Sequence, residues 1–374
     1  MSSSKSVKIA IVGTGLIGPR HAEAIINEPS AVLACIVDPS PAAEAVAEKL
    51  NCVLYKSVQA MLASSDKPDA ALVCTPNHTH VSISKELLEG GVHVLCEKPI
   101  SVDVASGQEL VHILNSLLSA PACISDLIQI ECAKNANRHL LIGHHRRFNR
   151  YVVTTKRILP SLGQIIAVNG LWTIHKPTDY FNPPTEWRRL DSAGPVLINL
   201  IHEIDILHHL FGPIARVYAE KSISQRGHAA EEGAAITLKF EGGIVGTFLL
   251  SDAVISPHNF EAGTGENPTI PKEGRDFYRI MGSEASLSVP DMTRWTYPDG
   301  RKDWAERLRN EIIEVPDMKI PFELQIEHFV KVIKGEEEPN CSGIEGLRAV
   351  LVCEAIRKSM KDNLPVEIPP LSER

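Results

Sequence analysis

The sequence lacks the features that would mark a secreted, metal-binding or membrane-spanning protein. Its eight cysteines include no CxxC pair and no Cys/His grouping at a zinc-binding spacing. The net charge of −8 gives no general attraction for nucleic acid or anionic membranes. No stretch approaches the roughly 20 apolar residues of a membrane span, and no signal peptide is evident. We therefore expect reduced cysteines, a cytoplasmic protein, no metal site, and no nucleic-acid or membrane partner.

What is present fits a globular chain of more than one domain. The 374 residues can form two domains, and 44% hydrophobic with 22% charged residues is an ordinary composition. The first third alternates short apolar runs with helical segments, the runs lying at 7–12, 32–37, 70–74, 92–96 and 139–143. Such alternation predicts a doubly wound parallel sheet of the Rossmann type with helices on both faces.

The pattern changes near residue 150, where longer alternating runs begin. The runs at 234–240 and 244–250 flank Glu241-Gly242-Gly243, which is a hairpin signal. A second domain of α+β type, with a large, open and mostly antiparallel sheet, is therefore predicted. The expected boundaries are 1–149 for the Rossmann domain, 150–340 for a substrate-binding and oligomerisation domain, and 341–374 for a C-terminal helix and tail packing back toward the Rossmann domain.

Residues 112–130 fit this scheme poorly. They separate a helical start, SGQELV, from its natural continuation, and without them the helix and next strand would connect at ordinary length. We interpret the segment as an insertion. A retained in-frame intron and a surface extension both remain open as its origin.

A nucleotide site is predicted at residues 13–18, GTGLIG. The motif follows a strand and opens a helix, and Asp38 lies at the end of the next strand. Such glycines allow close approach of a pyrophosphate to the helix N-terminus. Asp38 would accept a hydrogen bond from a ribose 2′-OH and repel a 2′-phosphate, and no arginine follows it, so NAD is favoured over NADP. The alternative is a Rossmann-like fold with an empty or different nucleotide site. The loop contacts predicted are Gly13, Gly15, Leu16, Ile17 and Gly18.

Four further motifs complete a recognisable set. They are CTPNHTH at 74–80, EKP at 97–99, GHHRRFN at 143–149 and NLIHEID at 199–205. With GTGLIG they resemble the glucose–fructose oxidoreductase / inositol dehydrogenase / MocA (Gfo/Idh/MocA) family over almost the whole chain. The resemblance implies an NAD(P)-dependent dehydrogenase acting on a carbinol of a sugar, cyclitol or related polyol. It also implies a homodimer or homotetramer formed through the second-domain sheet, and a Lys98–Pro99 bond that is often cis.

The resemblance also implies the site residues. Lys98 and His202 are the catalytic positions, and Trp187-Arg188 is a pair that the family often places near the cofactor, although Trp187 is equally explained as a packing residue. Arg146 is expected on the nicotinamide side, with a surface salt bridge as the alternative. Cofactor contacts are predicted at Thr75, Pro76, Asn77, His80, Glu97, Lys98, Arg146, Trp187 and Arg188. Substrate contacts are predicted at Lys98, Asn199, His202 and Asp205.

The chemistry of these residue types agrees with a dehydrogenase. Hydride transfer from a carbinol needs a group that removes the hydroxyl proton, and a lysine does so only through its neutral form. Histidine titrates near neutral pH, and on a helix His202 and Asp205 project from one face. Ile198 stands where many inositol dehydrogenase-like members carry an aspartate, which makes myo-inositol a less secure substrate. A structural histidine at a helix–sheet contact is the alternative for His202.

Two other functions remain open from the sequence. One is a catalytically silent NAD(P)-binding regulator of the same fold, against which the presence of both Lys98 and His202 argues. The other is an enzyme whose tightly bound NAD(P) is recycled within each turnover.

Overall fold

The structure is a computed structural model that describes residues 6–119, 138–298 and 301–371. The chain divides into two compact units. Unit 1 holds the residues up to Phe148 together with Lys319–Val350, and unit 2 holds Asn149–Met318 together with Leu351–Leu371. Residues 120–130 of the predicted insertion lie outside the described residues, and residues 112–119 continue a helix.

Strands and helices alternate in unit 1, and strands predominate in unit 2. In chain order the strands are β1 (Val7–Val12), β2 (Ala31–Val37), β3 (Val53–Tyr55), β4 (Ala70–Val73), β5 (His93–Cys96), β6 (Leu140–Ile142), β7 (Ile165–Thr173), β8 (Ile214–Lys221), β9 (Gly233–Phe240), β10 (Val245–Ser251), β11 (Tyr278–Gly282), β12 (Ala285–Val289), β13 (Thr293–Thr296), β14 (Arg309–Ile312) and β15 (Val366–Glu367). The helices are α1 (Gly18–Asn27), α2 (Ala43–Lys49), α3 (Val58–Leu62), α4 (His80–Glu89), α5 (Val104–Ser119), α6 (Arg150–Ile158), α7 (Ile201–Phe211), α8 (Phe260–Thr264), α9 (Pro321–Ile333) and α10 (Gly343–Asp362).

Unit 1 contains the predicted Rossmann sheet. Six parallel strands lie in the order β3-β2-β1-β4-β5-β6, so the order reverses between β1 and β4. All residues of β4 and β5 are buried, as expected for central parallel strands covered on both faces. The carboxyl ends of β1, β4 and β5 therefore meet at the switch point where such sheets bind ligands.

The core of unit 1 combines this sheet with helices from both parts of the chain. Ile9 and Ile11 of β1 and Ile25 of α1 are buried together with Phe329 of α9. The helix α9 belongs to this core although it lies far from α1 in the sequence. Phe322, Ile326 and Phe329 lie on one face of this helix and are all buried, which explains why it packs there.

Unit 2 contains a nine-stranded sheet in the order β14-β13-β12-β11-β7-β10-β9-β8-β15. The predicted hairpin is confirmed, because β9 and β10 pair antiparallel. All neighbours run antiparallel except β7 and β10, which pair in parallel. Strand β9 alternates buried and exposed residues along most of its length, which leaves one face of the sheet open. The predicted fold class is confirmed for both units.

The structure also bears on the predictions made about membrane spans and cysteines. Among the helices that the structure describes, none is long and apolar enough to cross a membrane. Within the described ranges Cys35, Cys74, Cys96, Cys341 and Cys353 are buried free thiols, and Cys52 is partly buried and also free. This agrees with the expectation of reduced core cysteines for the described residues; Cys123 and Cys132 lie outside them.

Candidate active site

The glycine loop between β1 and α1 has two glycines that the protein's own backbone requires. Gly13 has φ +96°, and a Cβ there would lie 2.8 Å from the Cys74 carbonyl oxygen. A Cβ on Gly18 would lie 2.2 Å from the Gly13 carbonyl oxygen. Gly15 differs, because no atom lies within 4 Å of its Cβ position and the neighbouring Leu16 is 94% exposed. The loop thus holds an open cradle at a helix N-terminus, which fits a dinucleotide pyrophosphate.

Asp38 lies at the end of β2 and is fixed by the glycine loop. Its Oδ2 accepts hydrogen bonds from the Thr14 backbone N–H at 2.8 Å and from the Thr14 hydroxyl at 2.7 Å, and Oδ1 accepts one from Ser40 N–H at 2.8 Å. Burial raises the pKa of Asp38, but these hydrogen bonds outweigh burial and leave the pKa below its usual value. Asp38 is therefore a carboxylate with acceptor capacity left on Oδ1, as a ribose hydroxyl requires.

The EKP motif leaves β5 with a buried carboxylate before the lysine. Glu97 Oε1 contacts His21 Nε2 at 2.7 Å, and Glu97 Oε2 accepts the backbone N–H of Lys98 at 3.1 Å. Burial works against ionisation of Glu97, yet His21, with further help from His145 and Lys98, lowers its pKa to about 2. A carboxylate held this firmly in the charged form is a poor proton carrier. Its contacts give Glu97 a geometric role, tying α1 to the Lys98 backbone.

Lys98 follows directly and is partly buried. The Lys98–Pro99 peptide is cis, as the family resemblance implies. Gly143, at the end of β6, packs against Glu97, since a Cβ on Gly143 would lie 3.2 Å from the Glu97 side chain. The ends of β5 and β6 therefore enclose Glu97 and leave Lys98 at the sheet edge where ligands bind.

His80 joins the loops that follow β4 and β5. Its ring is 1% exposed; Nδ1 lies 2.7 Å from the Pro99 carbonyl oxygen and Nε2 lies 2.9 Å from the Thr75 carbonyl oxygen. A carbonyl only accepts, so both ring nitrogens donate and the imidazole is protonated. Burial lowers the pKa of His80, but Cys96 and the two carbonyls together raise it to about 9. His80 therefore holds together the loops after β4 and β5, in addition to its predicted contact with the cofactor.

This arrangement predicts how His80 affects stability at alkaline pH. A folded-state pKa of about 9 lies above the ordinary value of 6.5, so the stabilisation is complete below pH 6.5 and is lost as pH rises through 9. The wild-type free energy of unfolding should fall by about 3 kcal/mol more than that of His80→Gln over this window, in denaturant titrations. His78→Gln, on an exposed residue of the same segment, is the control and should follow the wild type. Parallel curves for wild type and His80→Gln would contradict a protonated His80.

The motif at 143–149 places two arginines in a short 3-10 helix, His145–Phe148. Arg146 is 5% exposed, so the surface salt bridge considered for it is wrong. Arg147 is buried as well, and its guanidinium donates to Glu345 at 2.8 Å and to the Asn340 carbonyl. Arg147 therefore has a structural role, and the cofactor expectation stays with Arg146.

In unit 2, the helix α7 carries the predicted histidine. His202 is 7% and Asp205 1% exposed, and between them the fully buried Glu203 accepts a hydrogen bond from the Tyr278 hydroxyl of β11. That contact anchors α7 to the sheet. A π turn, Val196–Leu200, runs directly into α7, and the Glu231 carboxylate accepts the Val196 N–H at 3.0 Å. Single π turns are frequent at functional sites.

Trp187 and Arg188 lie in a short 3-10 helix of unit 2, Glu186–Arg189. The Arg188 guanidinium stacks over the Tyr180 ring at 3.8 Å and donates to the Tyr180 carbonyl at 3.0 Å. Trp187 is 47% exposed, so it is not a buried packing residue within the described chain. The Arg188 guanidinium lies 5.6 Å from the centre of its ring, and a contact of this pair with the cofactor stays a prediction.

Three residues important to these groups had no sequence signal. They are His21, which holds Glu97, Glu231, which caps the π turn, and Lys176, whose ammonium donates to Asn199 Oδ1 at 2.7 Å. The predicted residues of unit 1 gather at the carboxyl ends of its strands. The remaining ones, in unit 2, are Trp187, Arg188, Asn199, His202 and Asp205.

Comparison with known protein families assigns both halves of the chain. A profile described as the oxidoreductase family, NAD-binding Rossmann fold (Gfo/Idh/MocA), matches residues 7–118. A second, described as the oxidoreductase family, C-terminal alpha/beta domain, matches residues 157–368. The two matches cover most of the chain and agree with the fold seen in each unit.

Individual proteins that resemble the chain over nearly its full length do so at low sequence identity. The chain is 25% identical to myo-inositol 2-dehydrogenase of Thermotoga maritima, covering 97% of this chain and 98% of that protein. A putative NADPH-dependent oxidoreductase from Desulfitobacterium hafniense superposes with a TM-score of 0.79 at 19% identity, covering 97% and 98% of the two chains. The WlbA dehydrogenase from Bordetella pertussis, in complex with NADH and UDP-GlcNAcA, superposes with a TM-score of 0.72 at 21% identity, covering 98% and 100%.

Proposed function

Because the chain belongs to the Gfo/Idh/MocA oxidoreductase family, we propose that it is an NAD-dependent dehydrogenase of a carbinol in a sugar, cyclitol or related polyol. The observation that carries this proposal is the carboxyl edge of the unit 1 sheet. The open cradle at Gly15, the carboxylate of Asp38 and Lys98 each follow the end of one of its parallel strands. The match to myo-inositol 2-dehydrogenase over nearly the full length of both chains supports the substrate class.

The residues divide the chemistry between a cofactor site and proton carriers. A bound nicotinamide would take up the hydride that leaves the carbinol carbon with the two electrons of its C–H bond. Lys98 and His202 handle the hydroxyl proton that is released as the carbonyl forms. Glu97 fixes the Lys98 backbone, and its own low pKa keeps it out of the proton transfer. Asn199 and Asp205 contact the substrate.

NAD rather than NADP is the proposed cofactor. Asp38 is held as a carboxylate by Thr14 and Ser40, so a 2′-phosphate would meet a fixed negative charge. A 2′-OH would instead donate to Oδ1 of Asp38. The cofactor contacts proposed remain those of the glycine loop, of the 75–80 and 97–98 segments, and of Arg146, Trp187 and Arg188.

The open face of the unit 2 sheet supports a homodimer or homotetramer. Exposed apolar side chains there include Val245 and Leu249 of β10 and Met281 of β11. A shallow depression of about 660 Å³ lies on the same sheet, with Tyr218 and Met281 in its lining. Exposed apolar side chains of this kind are typical of association sites.

The free thiols of the described residues support a reducing, cytoplasmic environment.

A substrate panel tests the proposal. Nicotinamide reduction should be observed with NAD and a member of a set of sugars, cyclitols and polyols, and kcat/KM should be about tenfold or more lower with NADP. Nucleotide binding with no turnover of any member would instead favour the catalytically silent regulator. Reduction limited to one equivalent per enzyme would favour a cofactor that stays bound and is recycled.

A further inference from the structure

Lys176 places a buried positive charge next to a predicted substrate residue. The residue is 8% exposed and lies just beyond β7. Its ammonium donates to Asn199 Oδ1 at 2.7 Å, pairs with Asp252 Oδ2 at 3.2 Å, and lies 4.6 Å from the Tyr180 ring centre. Burial lowers the pKa of Lys176, while the Asp252 carboxylate acts in the opposite direction. The net effect is a pKa below the ordinary value for lysine. The two oxygen acceptors in contact with Nζ, Asp252 Oδ2 and Asn199 Oδ1, are the partners that a donating ammonium requires.

The surroundings leave Lys176 little freedom to choose another partner. Its backbone N–H donates to the Asp252 carbonyl at 2.9 Å, and the Arg226 guanidinium donates to Asp252 Oδ1 at 2.6 Å. Glu232 accepts the backbone N–H groups of Gln225 and Arg226, which fixes the Arg226 segment in turn. The ammonium is therefore held in place by a buried network that is independent of Asn199.

This fixed ammonium decides which way the Asn199 carboxamide faces. An ammonium has three donors and no acceptor, so the contact at 2.7 Å requires the Asn199 oxygen, and the Nδ2 amino group faces away. Asn199 belongs to the π turn that runs into α7 and lies three residues before His202. Asn199 therefore has its carboxamide oxygen engaged by Lys176 and its Nδ2 donor left for another partner, on the turn that leads to the predicted proton carrier.

We propose that Lys176 positions Asn199 as a donor that selects substrates with an acceptor-only oxygen, a ketone or carboxylate, next to the reacting carbinol. The inference rests on the proposed dehydrogenase function and narrows its substrate class. A hydroxyl can also accept, but a carboxylate accepts more strongly because the hydrogen bond is charge-assisted. Positions 198 and 199 supply no carboxylate, so a hydroxyl that meets Asn199 gains less than a ketone or carboxylate oxygen would there, and Asp205 remains the acceptor for a hydroxyl elsewhere on the substrate.

Two matched substrate series test the proposal in the full-length enzyme with NAD. The open-chain four-carbon series is L-threitol, L-erythrulose and L-threonate, and the six-carbon series is D-glucitol, D-fructose and D-gluconate. The ketone or the acid should exceed its polyol about tenfold or more in kcat/KM, and comparing the two separates ketone from carboxylate recognition. Equal or better use of the polyols in both series would overturn the inference and leave the dehydrogenase proposal standing. Failure of every member, in an enzyme that reduces NAD with another sugar or cyclitol of the panel, would overturn the inference alone, and failure of the whole panel as well would overturn both.

Variants show whether the preference comes from the Lys176–Asn199 pair. Asn199→Asp keeps a side chain of the same size against the ammonium but replaces the donor by an acceptor, so the preference should shift about tenfold or more toward the polyol. Lys176→Met leaves the Asn199 carboxamide free to rotate, and the kcat/KM values for the polyol and for its ketone or acid should become nearly equal. The control is Lys221→Met, on an exposed lysine of β8, which should keep the wild-type preference.

A double mutant separates positioning from a general structural effect. If Lys176 acts through Asn199, Lys176→Met should change the preference in wild type and leave it unchanged in an Asn199→Ala background. A loss of stability alone would lower the concentration of active enzyme for all substrates equally and leave the preference intact. Additive effects of the two substitutions on the preference would overturn the positioning role. If Lys176→Met does not fold, the result with Asn199→Asp alone decides.

Discussion

Replacement of Lys98 by methionine should lower kcat/KM for the best panel substrate by about 10²–10⁴-fold, because the group that takes the hydroxyl proton is lost. Methionine keeps most of the side-chain volume and is accommodated at this partly buried position, so folding should be unaffected. The affinity for NAD should change much less than kcat, since Asp38 and the glycine loop are untouched. Steady-state kinetics with a separate binding titration of NAD make the measurement.

The matched control is Lys85→Met, on the exposed face of α4, where Lys85 forms a surface ion pair with Glu109. Surface pairs of this kind contribute little, so Lys85→Met should retain wild-type rates. Retention of most activity in Lys98→Met would remove the lysine from the mechanism and leave His202 as the sole proton carrier. A parallel loss of NAD affinity would instead assign Lys98 to cofactor binding alone.

The sequence predicted the elements whose periodicity is regular. Five of the six parallel strands of unit 1 are short apolar runs, and the β9–β10 hairpin alternates around two glycines, so these follow from local pattern, whereas β3 (Val53–Tyr55) was not predicted. Strand β8 had no such signal. Its pairing with β9 shifts register between Ile214 and Arg216, which places buried residues at Ile214 and Val217. An irregularity of this kind breaks the alternation of period two on which the prediction depends.

The site was predictable where a motif is contiguous, and not where a partner comes from a distant segment. The glycine loop, Asp38 and EKP are read from local spacing. His21 contacts Glu97 across 76 residues of sequence, and Lys176 reaches Asn199 across 23. Periodicity tells which face of an element is buried, but not which polar groups of two loops will meet. Such pairs are visible only once the strand order is known, as with the loops after β4 and β5 that His80 joins.

Gly15→Ala should abolish most of the NAD affinity, by about a hundredfold or more, without loss of stability. The new methyl group meets no protein atom within 4 Å, and Gly15 has no left-handed φ, so alanine fits the backbone. Alanine at a compatible position restricts the unfolded chain, which leaves the midpoint of thermal unfolding unchanged or slightly raised. The methyl group would, however, occupy the cradle in which a pyrophosphate must approach the backbone N–H groups, and loss of hydrogen bonds to that charged group accounts for the expected change.

Gly18→Ala provides the contrast within the same loop. A Cβ at Gly18 would lie 2.2 Å from the Gly13 carbonyl oxygen, so the backbone must shift, at a cost of about 1–3 kcal/mol in the free energy of unfolding. The two alanine variants should therefore differ in kind: Gly15→Ala loses NAD with its thermal midpoint intact, and Gly18→Ala loses stability as well. Wild-type NAD affinity in Gly15→Ala, by calorimetric titration, would show that the dinucleotide does not enter the loop at this glycine. The role of Asp38 as its ribose acceptor would then fail too, because Thr14 fixes Asp38 to the same loop.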